Sequence, residues 1–435
     1  MATAPIGEAI SRVDAPLKVT GGATYAADNN PANLAYGYLI LSTIGLGAVT
    51  AMDTAAALAA PGVLDVYTPF HPLQLFAYGG DENDESFPPL QTTDVRYYGQ
   101  VIGMVVADTF EQARDAAALV TTTYALKTPL TSLTSGPATP VTAPVTVTQN
   151  YTTAIVHHHA MEPHATVASW AAGHLTINTV TQSAPLVVSR LSHTLGTDAS
   201  KIHVINPYVG GAFGGKWGNW AHTPLTAAAA RVLDRPVKTV LTREQVFTVV
   251  GHRPETTQTV SIGASTDGVL TAIQQRATAS KSNSSNFTEN PAGVANTSYA
   301  AGTISTSNTH VPLDLPATTI MRAPGEANGA FALESAMDEL AVALALDPLA
   351  LRQKNYANTV PNNGQPWSSK HLAECYDIGA QRFGWSKRNP TPGAVTDGDW
   401  LVGLGMATAT YPAFLNQAAQ KVRFVSDGTV VVSST

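Results

Sequence analysis

The sequence predicts an α+β fold with more than one domain, and three observations support this prediction. The chain has 435 residues, a length that suggests about two to four separate hydrophobic cores. Apolar residues make up 44% of the chain and charged residues only 13%, a composition that argues against disorder. Segments that alternate with period two interleave along the chain with segments that have helical periodicity.

Residues 20–127 are predicted to form the first α+β unit. Thr109 and Gln112 have the spacing of a capping box at the start of a helix. A short Ala-rich helix should end before the Pro-Gly pair at 61–62. The expected order of strand, helix and strand is that of a βαβ-like element. The strand candidates are 36–43, 63–68, 101–108 and 121–126.

The uncharged segment 128–150 is rich in Thr, Pro and Ser, a composition that predicts a linker. Residues 151–385 follow as a second unit in which strands and helices alternate, and 281–310 is predicted to be a long loop. Residues 398–435 are expected to open a third unit with strands at 400–411 and 421–435. In the second unit, strands are predicted at 174–182, 201–211, 237–242, 256–263 and 269–280, and helices at 185–196, 221–234 and 330–346.

Charge and cysteine content exclude several classes of protein. A formal net charge of −7 argues against nucleic-acid binding, which needs clustered Lys and Arg. The single cysteine, Cys375, excludes a disulfide framework or an iron–sulfur cluster on this chain. No apolar run is long enough to predict a membrane span, and the N-terminal segment does not look like an export signal.

A glycine-rich segment, GGAFGGK at 210–216, follows a predicted strand and precedes a predicted helix. Glycines allow backbone N–H groups to converge on an oxygen-bearing ligand, although a plain tight turn is the simpler explanation of such a cluster. Gly210, Gly215 and Lys216 also have the spacing of a phosphate-binding P-loop. Trp217 stands where that motif needs Ser or Thr for Mg²⁺, which argues against nucleotide binding.

Four histidines and one glutamate occur in the segment HHHAMEPH at 157–164. These residue types are natural zinc or iron ligands. Pro163 disrupts any helix that would place His159 and His164 on one face. The segment therefore predicts either a metal site or, more simply, a turn lined with stacked imidazole rings.

Arg322 and Glu326 lie on a Pro-Gly turn before the predicted helix at 330–346. Arg322 could hold an anion at the helix start, or it could pair with Glu326 or Glu334 and order the turn. Gln182 offers an amide donor and acceptor near the end of a strand.

Six segments occur together in one order: KVTGGATYAAD at 18–28, HHHAMEPHATVASW at 157–170, VTQSAP at 180–185, GGAFGGK at 210–216, MRAPGEANGAFALESAMDELA at 321–341 and DPLALRQKNYA at 347–357. With them the chain resembles the molybdenum-binding large subunit of the xanthine dehydrogenase/aldehyde oxidase family. Among the members of this family, the chain most resembles the bacterial aldehyde oxidoreductases that are built from separate subunits.

The resemblance implies an α/β hammerhead domain at 20–127, a first molybdopterin-binding α+β domain at 151–385 and the start of a second one at 398–435. It also assigns site residues. Gln182, Phe213 and Arg322 would surround the molybdenum, and Trp217 with Arg322 would line the substrate pocket. The implied cofactor-binding residues are Gln182, Gly211, Phe213, Gly214 and Arg322.

The family oxidises aldehydes or aromatic heterocycles with oxygen taken from water. The resemblance therefore implies a molybdenum–molybdopterin cofactor, with the cytosine dinucleotide form left open, and partner subunits that carry iron–sulfur clusters and FAD. It implies a cytoplasmic enzyme, or a periplasmic one exported with a partner. Trp217 replaces a glutamate of the purine-oxidising members, which favours aldehydes or other aromatic carbons.

The resemblance implies that the family's catalytic glutamate belongs to a Gly-Glu motif near the C-terminus of the longer family members, beyond residue 435. No catalytic base is therefore assigned, and Glu326 belongs to a different motif. The expected length of the family's large subunits is nearly twice that of this chain. The alternative prediction is therefore an inactive fragment or split half that binds only a cofactor or partner.

Overall fold

A computed structural model describes residues 7–78, 83–134, 136, 139–413 and 417–434. The helices in these residues are α1 (Ala15–Val19), α2 (Ala55–Leu58), α3 (Phe110–Ala117), α4 (Ala184–Thr194), α5 (His222–Leu233), α6 (Arg243–Val249), α7 (Ala295–Ser298), α8 (Glu326–Ala343), α9 (Pro348–Lys354) and α10 (Leu372–Phe383).

The strands in the same residues are β1 (Ala35–Leu41), β2 (Gly47–Asp53), β3 (Val63–Tyr67), β4 (Asp94–Val95), β5 (Val101–Ala107), β6 (Thr121–Leu126), β7 (Val145–Thr153), β8 (Ala165–Ala171), β9 (His174–Thr179), β10 (Ile202–Ile205), β11 (Val237–Val240), β12 (Thr256–Ala264), β13 (Leu270–Ser282), β14 (Thr303–Leu313), β15 (Thr396–Asp397), β16 (Trp400–Leu401), β17 (Gln420–Phe424) and β18 (Val430–Ser434). Helices and strands are mixed throughout, so the predicted α+β class is confirmed. No helix in this described part is long and apolar enough to cross a membrane.

The largest sheet combines strands from both sides of the segment that was predicted to be a linker. Within the described residues its strand order is β10-β9-β8-β11-β1-β5-β3. The junction is the parallel pair β1 and β11, in which Ala35 is the partner of Val237. One hydrophobic cluster also spans the junction, from Leu39 and Met104 to Leu225. The two predicted units therefore share a sheet and a core.

Helix α5 covers this sheet and is buried almost along its whole length. Its sequence, HTPLTAAAARVL, is rich in alanine, and small side chains allow a helix to pack closely against β8 and β11. A helix with apolar or small side chains on nearly every face belongs in a hydrophobic core rather than at the surface. This packing fixes the start of α5, directly after the glycine-rich segment.

A second sheet has the described order β14-β13-β12-β7 and packs against α8. It corrects two predictions. Residues 145–150 belong to strand β7 rather than to a linker, and Thr303–Leu313 forms β14, which begins inside the predicted loop 281–310. Both strands are rich in Thr and expose many of their side chains, so their polar composition resembles that of a loop although β-branched threonine favours strands.

A small sheet of order β4-β2-β6 completes the N-terminal part in the described residues. The capping box of α3 is confirmed, because the side chains of Thr109 and Gln112 each bond to the other's backbone N–H. The expected βαβ-like element is wrong. Strand β5 before α3 lies in the large sheet, whereas β6 after it pairs with β2 in the small one.

The C-terminal part contains less regular structure than predicted. Of the expected strand at 400–411, only Trp400–Leu401 pairs with another strand, and the rest has no regular structure. The strand expected at 421–435 is instead two strands, β17 and β18, which form an antiparallel hairpin. Residue 435 lies outside the described residues.

Candidate functional site

The glycine-rich loop at 210–216 lies between β10 and α5 and has an unusual backbone. Gly211 and Gly214 have φ values of +92° and +107°, and Phe213 is left-handed at 56°. A Cβ atom added to Gly214 would lie 2.3 Å from the carbonyl oxygen of Ile320. Only glycine fits such a close backbone approach, so this loop packs directly against the segment that begins at Ile320.

The two loops form the wall of an open cleft. The backbone N–H of Arg322 donates to the carbonyl oxygen of Phe213 at 2.8 Å, which joins the loops edge to edge. The cleft thus brings together four of the residues that the sequence singled out. Its lining residues are Gln182, Phe213, Gly214, Ile320, Met321, Arg322, Ala323, Pro324, Ala409, Thr410 and Tyr411.

Gln182 is held by the glycine-rich loop in one orientation. Its carboxamide oxygen Oε1 accepts hydrogen bonds from the N–H groups of Gly214, at 3.0 Å, and Lys216, at 3.3 Å. Its own N–H donates to the carbonyl of Lys216 at 2.9 Å. The amide nitrogen Nε2 has no partner among the described residues, so Gln182 retains two hydrogen-bond donors for a ligand.

Arg322 exposes a guanidinium group that forms no ion pair with any described residue. Glu334, one of its two expected partners, binds Arg352 instead, with Nε and Oε2 2.8 Å apart. The interpretation that Arg322 orders the turn by pairing with Glu326 or Glu334 is therefore wrong. A free cation remains at the cleft.

The turn is ordered by Arg253, which sequence analysis missed. Its Nη2 donates to the carbonyl oxygens of Met321 at 2.7 Å and Ala323 at 3.2 Å, and also to that of Arg322. Arg253 is buried, and its Nε lies 3.3 Å from Oε1 of Glu289. One buried cation thus fixes three successive carbonyl groups behind the Arg322 side chain.

Glu289 continues this support under the start of α8. Its Oε1 accepts from the N–H of Gly325 at 2.7 Å, and its Oε2 accepts from Asn328 at 3.3 Å. Burial raises the pKa of Glu289 to about 7, although Arg253 and the Gly325 N–H act in the opposite direction. Neither Arg253 nor Glu289 belongs to a local pattern, so sequence offered no signal for them.

The histidine-rich segment supports both loops from behind. Nε2 of His158 lies 2.7 Å from the carbonyl of Ile320, and Nε2 of His164 lies 3.0 Å from that of Gly215. Burial lowers the pKa of both rings, which favours neutral imidazoles that donate through Nε2. The rings of His157 and His159 each pack against Phe247 at 4.9 Å. No group of three potential metal ligands occurs in the described residues, and the contacts match the turn interpretation.

The remaining predicted residues lie around the glycine-rich loop. Gly211 packs on Ala160 and on the ring of Phe213. Lys216 is buried, and its ammonium group pairs with Glu162 at 2.9 Å, so it is unavailable to a phosphate and the P-loop alternative is wrong. Trp217 is outside the lining of the cleft in the described structure, and its placement in a substrate pocket stays a prediction.

An irregular segment at 406–411 closes the far side of the cleft. Thr408 anchors it, since its N–H donates to Oε2 of Glu334 at 2.8 Å and its hydroxyl lies 2.5 Å from that of Tyr376. Arg352 holds the same glutamate. This buried network places Ala409 and Tyr411 at the cleft without any strand pairing, which sequence periodicity could not reveal.

Two family profiles match the chain. The molybdopterin cofactor-binding domain matches residues 137–356, which is half of the chain, and the a/b hammerhead domain of aldehyde oxidase and xanthine dehydrogenase matches residues 20–128. The chain belongs to the xanthine dehydrogenase/aldehyde oxidase family. The predicted resemblance and the predicted hammerhead and molybdopterin-binding folds are thereby confirmed.

Relatives of this chain include separate molybdenum-binding subunits. It is 38% identical to the aldehyde oxidoreductase molybdenum-binding subunit PaoC of Escherichia coli (strain K12), over 99% of this chain and 61% of that protein. It is 28% identical to the putative xanthine dehydrogenase molybdenum-binding subunit XdhA of the same strain, over 97% of this chain and 62% of that protein. The chain thus spans about three fifths of the length of these relatives.

Solved structures support the fold of this family member. The aldehyde oxidoreductase from Desulfovibrio desulfuricans ATCC 27774 matches with a TM-score of 0.80 at 22% identity, over 97% of this chain and 52% of that chain. The aldehyde oxidoreductase from Desulfovibrio gigas matches with a TM-score of 0.77 at 23% identity, over 97% of this chain and 51% of that chain. At this level of identity the likeness concerns the fold alone.

Proposed function

We propose that the cleft between the glycine-rich loop and Arg322 binds the molybdenum–molybdopterin cofactor, and that the complete subunit oxidises aldehydes or aromatic heterocycles. The observation that carries this proposal is the convergence of Gln182, Phe213, Gly214 and Arg322 on one cleft. When bound, the cofactor supplies the two-electron oxidation of the substrate with oxygen derived from water.

The polar groups of the cleft fit such a cofactor. Gln182 offers Nε2 as a neutral donor toward an oxygen ligand, because its Oε1 is occupied by backbone N–H groups. Gly214 allows the glycine-rich loop to pack against the Ile320 carbonyl, which holds the two loops together as one wall of the cleft. Arg322 supplies a cation that suits a phosphate of the pterin or the carboxylate formed from an aldehyde.

Aldehydes are the substrate class that we favour. The likeness to PaoC, an aldehyde oxidoreductase subunit, supports this choice, and so does Trp217, which replaces the substrate-binding glutamate of purine-oxidising members. We assign no residue of this chain as the base that accepts the proton. Glu326 is a poor candidate, since it is absent from the lining of the described cleft and its Oε2 is buried.

We propose an iron–sulfur subunit and an FAD subunit as partners that carry electrons away from the site. We propose a hammerhead domain at 20–127, a first molybdopterin-binding domain at 151–385, to which strand β7 adds residues 145–150, and the start of a second one at 398–435. The pterin is proposed to be the cytosine dinucleotide. Acid hydrolysis of the purified holoprotein tests this last point, because it should release CMP and no other nucleotide.

Elemental analysis for molybdenum tests the proposal as a whole. The chain is purified alone, then co-expressed with the sequence encoded downstream of it and with candidate iron–sulfur and FAD subunits. We expect stoichiometric molybdenum together with aldehyde-dependent reduction of an artificial acceptor in the co-expressed complex. Absence of molybdenum from every preparation would instead support the alternative, a fragment that keeps the fold without the chemistry.

A further inference from the structure

The glycine-rich loop is held at both ends by a single carboxylate oxygen. Oε2 of Glu162 accepts from the N–H of Gly210 at 2.7 Å and lies 2.9 Å from the ammonium group of Lys216. The Glu162 N–H donates in return to the carbonyl of Gly210 at 3.0 Å. The side chains of Lys216 and Glu162 are 0% and 8% exposed, so water does not compete with this clamp.

The loop transmits this restraint to Gln182. The backbone of Lys216 both donates to Oε1 of Gln182 and accepts from its N–H. A carboxamide has similar shape at its oxygen and nitrogen ends, so only its hydrogen-bond partners decide which end faces a ligand. Movement of Lys216 would therefore free the amide to turn over and present an acceptor to the cleft.

We propose that Glu162 and Lys216 are positioning residues of the cofactor cleft: their buried ion pair fixes the glycine-rich loop and, through it, the donor end of Gln182. This inference rests on the proposed function. Glu162 does not touch the cleft itself, because it is absent from the lining of the described cleft and acts through Gly210 and Lys216.

A gain in folding stability does not by itself explain the buried ion pair of Glu162 and Lys216. Removing two charges from water costs about as much as their attraction returns, and well-packed neutral residues are often as stable. Burial lowers the pKa of Lys216, which reports this cost directly. Oε1 of Glu162 is buried as well and has no hydrogen-bond partner among the described residues. Among the described residues, Oε1 of Glu162 thus forms no hydrogen bond, whereas Oε2 holds the loop.

The experiment uses the complete subunit and compares Glu162→Gln, Lys216→Met and the double variant. Each single variant leaves an uncompensated buried group and should lower the Tm. The double variant is neutral and similar in shape, so it should regain most of the Tm. Amide hydrogen exchange at Gly214 and Lys216 in the double variant should nevertheless remain about tenfold faster than in the unaltered protein, as expected for one lost hydrogen bond. Its aldehyde turnover per bound molybdenum should stay low.

Lys238→Met is the matched control. Lys238 is another buried lysine, with Nζ 2.7 Å from the carbonyl of Ala27 and 2.6 Å from Oδ1 of Asn30. This variant should lower the Tm without accelerating exchange at Gly214 and Lys216.

Two results would overturn the inference. The first is unaltered loop exchange in the double variant, which would make the pair purely structural. The second is faster exchange with normal turnover per molybdenum, which would separate the loop from the chemistry. If even the unaltered subunit turns over no aldehyde, the proposed function fails, whereas the exchange rates still decide whether the pair holds the loop.

Discussion

The carboxamide oxygen of Gln182 lies 3.0 Å from the backbone nitrogen of Gly214, and this contact decides what Gln182 offers to a ligand. With Oε1 engaged by the loop, the amide nitrogen remains as a donor at the cleft. A glutamine and a glutamate have nearly the same size, but only the glutamine has that donor. The orientation of one amide thus determines the polarity of this part of the site.

Replacing Gln182 with glutamate should reduce kcat about 100-fold, the effect of losing one preorganised donor in an active site. The carboxylate could still accept from Gly214 and Lys216, but its second oxygen would repel an oxygen ligand. Turnover per bound molybdenum in the complete enzyme measures this. Gln149→Glu, on an exposed position of strand β7, is the control. Equal activity of the two variants would show that Gln182 does not contribute to the reaction.

Replacing Gly214 with alanine should separate the two loops. The residue has a φ of +107°, and its new Cβ would lie 2.3 Å from the Ile320 oxygen. Backbone strain of this kind costs about 1–3 kcal/mol, so we expect a lower denaturation midpoint together with loss of molybdenum. Gly379→Ala in helix α10 meets no atom within 4 Å and should be neutral or slightly stabilising. A stable, fully loaded Gly214→Ala enzyme would contradict the loop packing.

Arg322→Ala should abolish cofactor-dependent turnover, with a loss of at least about 100-fold. The reason is that its guanidinium is uncompensated in the described structure, so it has charge to offer a ligand rather than a role in folding the turn. The Tm should therefore hardly change. Arg276→Ala, an exposed arginine on strand β13, serves as the control for loss of a surface cation. A large fall in Tm for Arg322→Ala would instead indicate a structural role.

Much of this fold could be predicted from patterns among residues that are close in sequence. The parts that could not be predicted depend mainly on pairing between segments that are far apart in sequence. The capping box of α3 and the periodic face of α8 lie within a few residues of one another, so their patterns are visible in the sequence. The pairing of Ala35 with Val237 joins segments about 200 residues apart, and no periodicity encodes it. Strand β14 was missed because its exposed Thr and Ser have a loop-like composition.

The residues of the candidate site likewise fall into those that a local motif predicts and those that only the structure reveals. Gln182, Phe213 and Arg322 were found because they lie in recognisable motifs. Arg253 and Glu289, which fix the backbone behind Arg322, have no motif and become visible only through their distances. The histidine-rich segment was noticed for its possible metal ligands, whereas its contacts show that its rings hold the backbone of the two loops.

His252 should make folding stability depend on pH. It is 1% exposed, and neither ring nitrogen has a hydrogen-bond partner among the described residues. Burial lowers its pKa from 6.5 to about 3, with His157 and His158 adding to the effect. Between these two values the unfolded chain binds a proton that the folded chain does not. The free energy of unfolding should therefore fall as the pH falls through this window, by about 1.4 kcal/mol per pH unit for one such group.

His252→Leu removes this group and should flatten the decline between pH 6.5 and 3 by that slope, because leucine has no proton to bind. Some dependence should remain, since burial also lowers the pKa of His222 to about 3. Urea unfolding at a series of pH values measures the difference between variant and unaltered chain. His203→Leu, which replaces an exposed ring on strand β10, should leave the buried contribution in place. Parallel stability curves for His252→Leu and the unaltered chain would mean that His252 is hydrated or protonated in the folded protein, which would contradict its burial.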